Sequence, residues 1–271
     1  MPDQVEKGEL FRSLHARETA FIIPNPWDAG SARLLEHLGF EALATTSAGF
    51  AFSSGQRDNT VGRNEMIRHL AAMCQATRLP VSADLENGFG DAPEAVAETL
   101  NLAAAAGVVG GSIEDATGRP GDPIYGLTLA VERIRAAAEL TRALPFKFTL
   151  TARAENFLVG KADLSDTIER LQAYEQAGAD VLYAPGLKTR DHIAAVVRSV
   201  NRPVNVLMGT PGLDLDLPAL SGLGVKRVSV GSALCRSAFG ALLRAAREMQ
   251  ERGTFKFAED AIPFAEITAI L

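Results

Sequence analysis

The chain has 271 residues, 47% of them hydrophobic, and a formal net charge of −6. That length suits one large domain or two small ones with a substantial core, and its mixed acids and bases exclude the clustered basic face of a nucleic-acid binder. Its two cysteines, Cys74 and Cys235, lie far apart, which excludes a disulfide framework and suggests buried thiols in a reducing compartment.

The first ten residues are charged and lack a secretory apolar core. No apolar run approaches the roughly 18 residues of a membrane span. A soluble cytoplasmic protein is expected. In chain order, strand-type runs at 20–24, 42–46, 80–84, 108–114, 147–153, 179–184, 203–207 and 226–231 alternate with helical stretches. The helices are expected at 30–38, 63–77, 93–106, 127–140, 164–176, 189–199, 217–222 and 232–248. Strict alternation implies a parallel sheet, and eight strands in about 250 residues is the size of a (β/α)8 TIM-type barrel. No linker divides the chain, so 1–271 is read as a single domain. Gly39, Gly107, Gly178 and Gly224 stand where helices should end in the left-handed conformation. The apolar tail beyond Phe255 is surplus to a closed barrel and needs another surface to cover, so a homo-oligomer is expected.

Barrel active sites lie at the C-terminal ends of the strands. The third run ends in Asp84 and Glu86, two carboxylates that share a face if the chain stays extended. Two such acids repel unless a cation intervenes or one is protonated. Asp58 follows the second strand, Glu114 ends the fourth and Arg153 ends the fifth. Asp28 reads as a helix N-cap, and Asp91 and Asp115 are open to the same reading. The four histidines, His15, His37, His69 and His192, fall in helices or at their starts. An all-oxygen ligand set, Asp84, Glu86, Asp58 and Glu114, disfavours zinc and favours Mg²⁺, with Mn²⁺ possible as a substitute. Arg153 suits a substrate carboxylate or phosphoryl group, and the turn at Ser47, Ala48 and Gly49 offers backbone N–H groups to an anionic oxygen. Together these features fit a small 2-oxo acid.

The segments from Asn25 to Arg33, Gly55 to Asp58, Asp84 to Gly90, Ser112 to Asp115 and Thr151 to Arg153 resemble the isocitrate lyase/phosphoenolpyruvate mutase superfamily in order and spacing. The resemblance spans about residues 10–271. It implies a barrel whose C-terminal helices, about residues 250–271 here, are exchanged between subunits of a dimer or tetramer. It implies Mg²⁺ held largely by Asp84, with Asp58, Glu86 and Glu114 acting directly or through water. Ser47, Ala48 and Gly49 would bind an oxyanion and Arg153 the substrate anion. Tyr183 and Asn205 complete the expected substrate contacts, and Arg153, Glu114 and Asp58 the expected catalytic set. Three departures matter. Residues 115–126 lack the Lys-Lys-Cys-Gly-His lid of the isocitrate and methylisocitrate lyases, and Glu86 replaces the usual second Asp. The strand-six end, Tyr183-Ala184-Pro185, also lacks the His of the phosphonate-handling members.

The expected activity is a Mg²⁺-dependent lyase that splits a C–C bond in a 2-oxo acid or a di- or tricarboxylate through a metal-stabilised enolate. The reaction is expected to be oxaloacetate-decarboxylase-like or methylisocitrate-lyase-like; decarboxylation of an oxaloacetate-like substrate fits because it needs no lid Cys. Tyr183, Tyr125 and Glu155 are candidate proton carriers. The alternatives are P–C bond chemistry on phosphonopyruvate or phosphoenolpyruvate, and a non-catalytic 2-oxo-acid-binding protein. A Schiff-base aldolase is disfavoured, because Lys147 and Lys226 begin strands rather than end them. A phosphate site at Ser229 to Ala233 rests on one glycine, and a tight turn is the preferred reading there.

Overall fold

The computed structural model describes residues 2–271. Its strands are β1 (Phe21–Ile23), β2 (Leu43–Ala44), β3 (Val81–Asp84), β4 (Gly110–Glu114), β5 (Ala116–Arg119), β6 (Asp122–Ile124), β7 (Thr149–Arg153), β8 (Val181–Tyr183), β9 (Val204–Leu207) and β10 (Arg227–Ser229). Its α-helices are α1 (Gln4–His15), α2 (Ala29–His37), α3 (Ser47–Ser53), α4 (Arg63–Ala76), α5 (Pro93–Ala105), α6 (Leu127–Ala143), α7 (Leu164–Ala177), α8 (Arg190–Ser199), α9 (Leu217–Gly222), α10 (Ala233–Arg252) and α11 (Phe264–Ile270).

Eight strands pair in the order β1-β10-β9-β8-β7-β4-β3-β2, every neighbouring pair parallel. The two ends of this sheet approach each other where Ala44 N–H donates to the Pro24 carbonyl at 3.1 Å. The result is the expected (β/α)8 barrel. Alternation along each strand decides what faces inward. On β7, Leu150 and Ala152 join the apolar layer beneath the helices, with Leu100, Ile134 and Leu171; Thr149, Thr151 and Arg153 take the opposite face. Each fully buried aliphatic of that layer contributes about 1.5–3 kcal/mol. The four anticipated glycines end helices with φ of +83° (Gly39), +108° (Gly107), +112° (Gly178) and +89° (Gly224).

Three elements were not anticipated. Helix α1 carries a capping box between Asp3 and Glu6 and closes the N-terminal end of the barrel with Phe11, Leu14 and His15, all buried. Gly110 on β4 makes room for it: a Cβ there would meet Phe11 Cε1 at 2.7 Å. The turn at 47–49 is the first turn of α3, capped by Thr46. Residues 115–126 carry the antiparallel β5/β6 hairpin. The tail folds as a 3₁₀ turn (Lys256–Asp260) and α11, which packs on α2. Arg33 Nη1 donates to the Leu271 carbonyl there.

His15 gives the fold a pH signature. Its Nδ1 lies 2.8 Å from the Phe11 carbonyl, so that nitrogen carries the proton, and Nε2 faces Arg227 Nη1 at 3.4 Å. Burial, then the Arg227 charge, lower its pKa to about 3. The unfolded chain protonates this side chain first, near pH 6.5, so its contribution is intact above that pH and is lost as pH falls toward 3. His15→Gln should therefore lose about 1.4 kcal/mol less unfolding free energy than the wild type between pH 7.5 and 5.5, read by guanidinium unfolding. Equal losses in the two proteins would contradict this.

Candidate active site

Strand ends bring the expected charges together. Arg153, the last residue of β7, reaches three carboxylates: Nη1 to Asp84 Oδ1 at 2.9 Å, Nη2 to Glu114 Oε2 at 3.0 Å and Nε to Glu155 Oε1 at 2.8 Å. The pairing of β7 with β4, which sets Arg153 beside Glu114, and of β4 with β3, which sets Ser112 beside Asp84, makes this inevitable. Asp84 Oδ2 accepts from Ser47 N–H at 3.0 Å and Ser47 Oγ at 2.9 Å. Burial opposes the charge of Arg153, but Glu155, Glu114 and Asp84 outweigh it and hold its pKa well above the usual value. Burial also raises the carboxyls of Glu114 and Glu155, with Arg153 opposing. Of the five N–H groups of the guanidinium, those to Asp84 and Glu155 are hydrogen-bonded, and Glu114 adds an ion pair.

Glu86 reaches the site by a different route than expected. β3 ends at Asp84, and Glu86 adopts φ +49°, so the two acids do not share an extended face. A non-glycine residue in that region costs of order 1–3 kcal/mol. Glu114 N–H fixes it by donating to the Glu86 carbonyl at 3.0 Å. Its carboxyl is pushed up to about 8 by burial, then by Asp84 and Asp58. Its Oε1 is buried without a hydrogen-bond partner. Asp58, exposed on the loop after α3, is raised by partial burial at the mouth and by the Asp84 charge.

Among the described residues, no three His, Cys, Asp or Glu side chains already form a metal cage. The guanidinium of Arg153 occupies the centre that the sequence suggested for an ion, with the acids around it. The donors nevertheless suit a hard divalent cation: they are all oxygens, three of them repel one another, and Glu86 Oε1 lacks a partner. Asp84, Glu86 and Asp58 would hold it, with Glu114 behind.

The pocket beneath is about 190 Å³, with Ser47, Ala48, Asp58, Asp84, Tyr183 and Asn205 in its lining. Gly49 stands behind it, its N–H donated to Thr46 Oγ1 at 3.2 Å. A second cavity of about 480 Å³ shares Ser47, Asp58 and Arg153 and runs under the hairpin, against Gly118 and Arg119. A cavity of about 530 Å³ at the other end of the barrel, lined by Arg12 and Lys147, holds none of the strand-end acids.

Several supporting residues escaped the sequence reading. Asp28 is the N-cap expected, but Asp91 and Asp115 are not caps. Asp91 accepts from Tyr125 Oη at 2.6 Å and from Arg119, tying the hairpin to the loop after β3. Asp115 is buried and accepts from Glu155 N–H at 2.8 Å, Tyr174 Oη at 2.5 Å and Arg170 at 3.2 Å. Arg133 donates to the carbonyls of Asn87, Gly90 and Asp91 and so fixes the loop beyond Glu86. Asn25 Oδ1 accepts from Val230 and Gly231 N–H, both at 2.9 Å, which spends the donors a phosphate would need at that turn. Cys74 and Cys235 are free, and no helix among the described residues is long and apolar enough to cross a membrane.

A parallel barrel with acids and an arginine at the carboxyl ends of its strands defines an enzyme of the α/β barrel class. The profile of the phosphoenolpyruvate phosphomutase family matches residues 11–250, and the chain belongs to that family. A crystal structure of a provisionally assigned lyase/mutase from Burkholderia cenocepacia J2315 is 63% identical, covers 98% of this chain and 95% of its own, and superposes with a TM-score of 0.96. The oxaloacetate decarboxylase of Pseudomonas aeruginosa (strain PAO1) is 30% identical over 92% of this chain and 86% of its own. A phosphonopyruvate hydrolase, solved with oxalate and Mg²⁺, shares the fold with a TM-score of 0.87 at 24% identity, covering 97% of this chain and 94% of its own.

Proposed function

We propose that the protein is a divalent-cation-dependent lyase, with Mg²⁺ its ordinary ion, that cleaves a C–C bond beside the 2-oxo group of a small dicarboxylate, an oxaloacetate-like substrate. The observation that carries this is the strand-end cluster: Arg153 among Asp84, Glu114 and Glu155, next to the unpartnered Glu86. The name of the Pseudomonas relative and the Mg²⁺ and oxalate in the phosphonopyruvate hydrolase support it. The bound cation would supply Lewis acidity at a 2-oxo oxygen. The chain supplies the rest. Arg153 offers its remaining N–H groups to the substrate carboxylate. Ser47 orients Asp84 through two hydrogen bonds. Ala48 and Asn205 shape the pocket, and Tyr183, whose phenol burial raises to about 12, stays neutral beside Arg153. Asp58 stands at the mouth, where it can exchange a proton with solvent. The β5/β6 hairpin covers the second cavity as a lid.

Incubation with Mg²⁺ and a panel of oxaloacetate, methylisocitrate and phosphonopyruvate tests this reading. Pyruvate and CO₂ should appear from oxaloacetate and stop on chelation. Turnover that survives chelation, or turnover of phosphonopyruvate alone seen by phosphorus NMR, would contradict it.

The segment from α10 onward forms the subunit contact in this proposal. Of α10 only Cys235 is buried, while Leu242, Leu243 and Phe264 are 63%, 54% and 85% exposed. Large apolar side chains left exposed along one segment suit an interface, and in this reading a second copy of the chain supplies the matching face. Leu242→Asp with Leu243→Asp should shift the mass in light scattering from oligomer to monomer; an unchanged mass would refute the assignment.

A further inference from the structure

Arg227 is a buried cation without an anion. It begins β10 and is 5% exposed. Its Nε donates to Asn205 Oδ1 at 2.9 Å and its Nη2 to Thr151 Oγ1 at 3.0 Å, and its Nη1 faces the neutral His15 Nε2 at 3.4 Å. All three partners are uncharged. Of the other buried or nearly buried arginines, Arg153 and Arg170 each hold at least two carboxylates and Arg133 is satisfied by three backbone carbonyls, whereas Arg227 forms no salt bridge among the described residues and only two of its nitrogens donate to oxygen. Burial lowers its pKa only to about 10, so it is charged at neutral pH. An isolated charge in a protein interior costs several kcal/mol.

Its surroundings suggest why the charge is kept. Barrel interiors are ordinarily filled by branched apolar side chains. Here the pocket below Arg153 is walled by Ser82, Ser112, Asn205 and Ser229, and Arg227 is part of its lining. Asn205 is itself held by Ser229, through Nδ2 to Oγ at 2.9 Å, and so presents its oxygen to Arg227. Thr151 and Arg153 are two apart on β7 and face the same side, about 7 Å along the strand. Arg227 contacts Thr151, so its guanidinium lies one layer beneath that of Arg153 on the same polar shaft. Of five N–H groups, at most three are engaged.

We propose that Arg227 is the floor of the substrate pocket and receives a second carboxylate, making the site selective for short dicarboxylates over monocarboxylates. This rests on the 2-oxo-acid reading above, with one carboxylate at the strand-end cluster and the other at the floor. Arg227 acts in specificity; it takes no proton and forms no bond.

Calorimetric titration of the Mg²⁺-loaded protein with lactate, malate and malamate, the 4-amide of malate, tests it with probes that do not decarboxylate. A hydrogen-bonded charge contact of this kind implies that malate binds about 10- to 100-fold more tightly than malamate or lactate. In Arg227→Met that preference should fall to about threefold or less, with lactate affinity unchanged. Equal binding of malate and malamate by the wild type would overturn the inference, as would a preference that persists in Arg227→Met. The wild-type comparison decides alone if the variant does not fold. Equal binding of lactate and malate removes only the role of Arg227; binding of none of the three removes the 2-oxo-acid reading as well.

Discussion

Arg153→Met should lower the unfolding free energy by about 3–5 kcal/mol and abolish turnover. The size follows from what is left behind. Glu114 and Glu155 have side chains only 11% and 4% exposed, and their charges are balanced by this guanidinium. Removing one partner of a buried ion pair costs more than the pair contributes, because the remaining charges are stranded in low dielectric. Arg153→Lys separates the two consequences. An ammonium keeps the charge, so much of the stability should return. It cannot make three directed contacts at once with the planar fork of a guanidinium, so turnover should stay below a tenth of wild type. Urea unfolding beside initial rates gives both readings. An Arg153→Met protein of wild-type stability would show that the cluster is not coupled as described.

Asp84→Asn should reduce kcat/KM by about a thousandfold or more, the equivalent of roughly 4 kcal/mol, with a smaller loss of stability than Arg153→Met, because Arg153 keeps Glu114 and Glu155. Asp84 is the acid that contacts Arg153 on one oxygen and Ser47 on the other. An amide of the same shape keeps one acceptor oxygen but gives up the charge. It would still sit at the end of β3, so the barrel should form. In the proposed reaction, what is lost is the anionic ligand that a Lewis-acid site would require. Wild-type rates in this variant would remove Asp84 from the chemistry.

The barrel was legible because its signals are local. Most strands fall in short runs rich in apolar residues, and four of the returning helices, α2, α5, α7 and α9, are followed by a glycine that the structure places in the left-handed region. Helix α1 was not legible for the opposite reason. Lys7 and His15 are among its buried residues, so its inward face does not read as apolar. Lys7 is accommodated by donating to the Thr77 carbonyl at 3.2 Å, and His15 by turning neutral, neither of which periodicity reveals. The hairpin at β5/β6 is specified by long-range contacts, Asp91 to Tyr125 and Arg119, that no window of sequence contains.

At the site, residue types were readable and their arrangement was only partly so. Asp84, Glu114 and Arg153 meet because parallel register aligns the ends of β3, β4 and β7. The pairing of Asp84 with Glu86 was inferred from an extended spacing that the chain abandons after Asp84. Glu155 was noticed only as a possible proton carrier, because its position two residues past the arginine carries no signal that it folds back onto Nε. Arg227 could have been noticed: it shares the inward-facing parity of β10 with Ser229.

The central claim is that these carboxylates take up one divalent cation beside Arg153. The most direct measurement is Mn²⁺ binding by electron paramagnetic resonance, with oxalate present, on wild type and Asp84→Asn. One ion bound per wild-type chain and none on the variant is the expected result. Free Mn²⁺ signal undiminished by the wild-type protein, or equal uptake by both proteins, would contradict it.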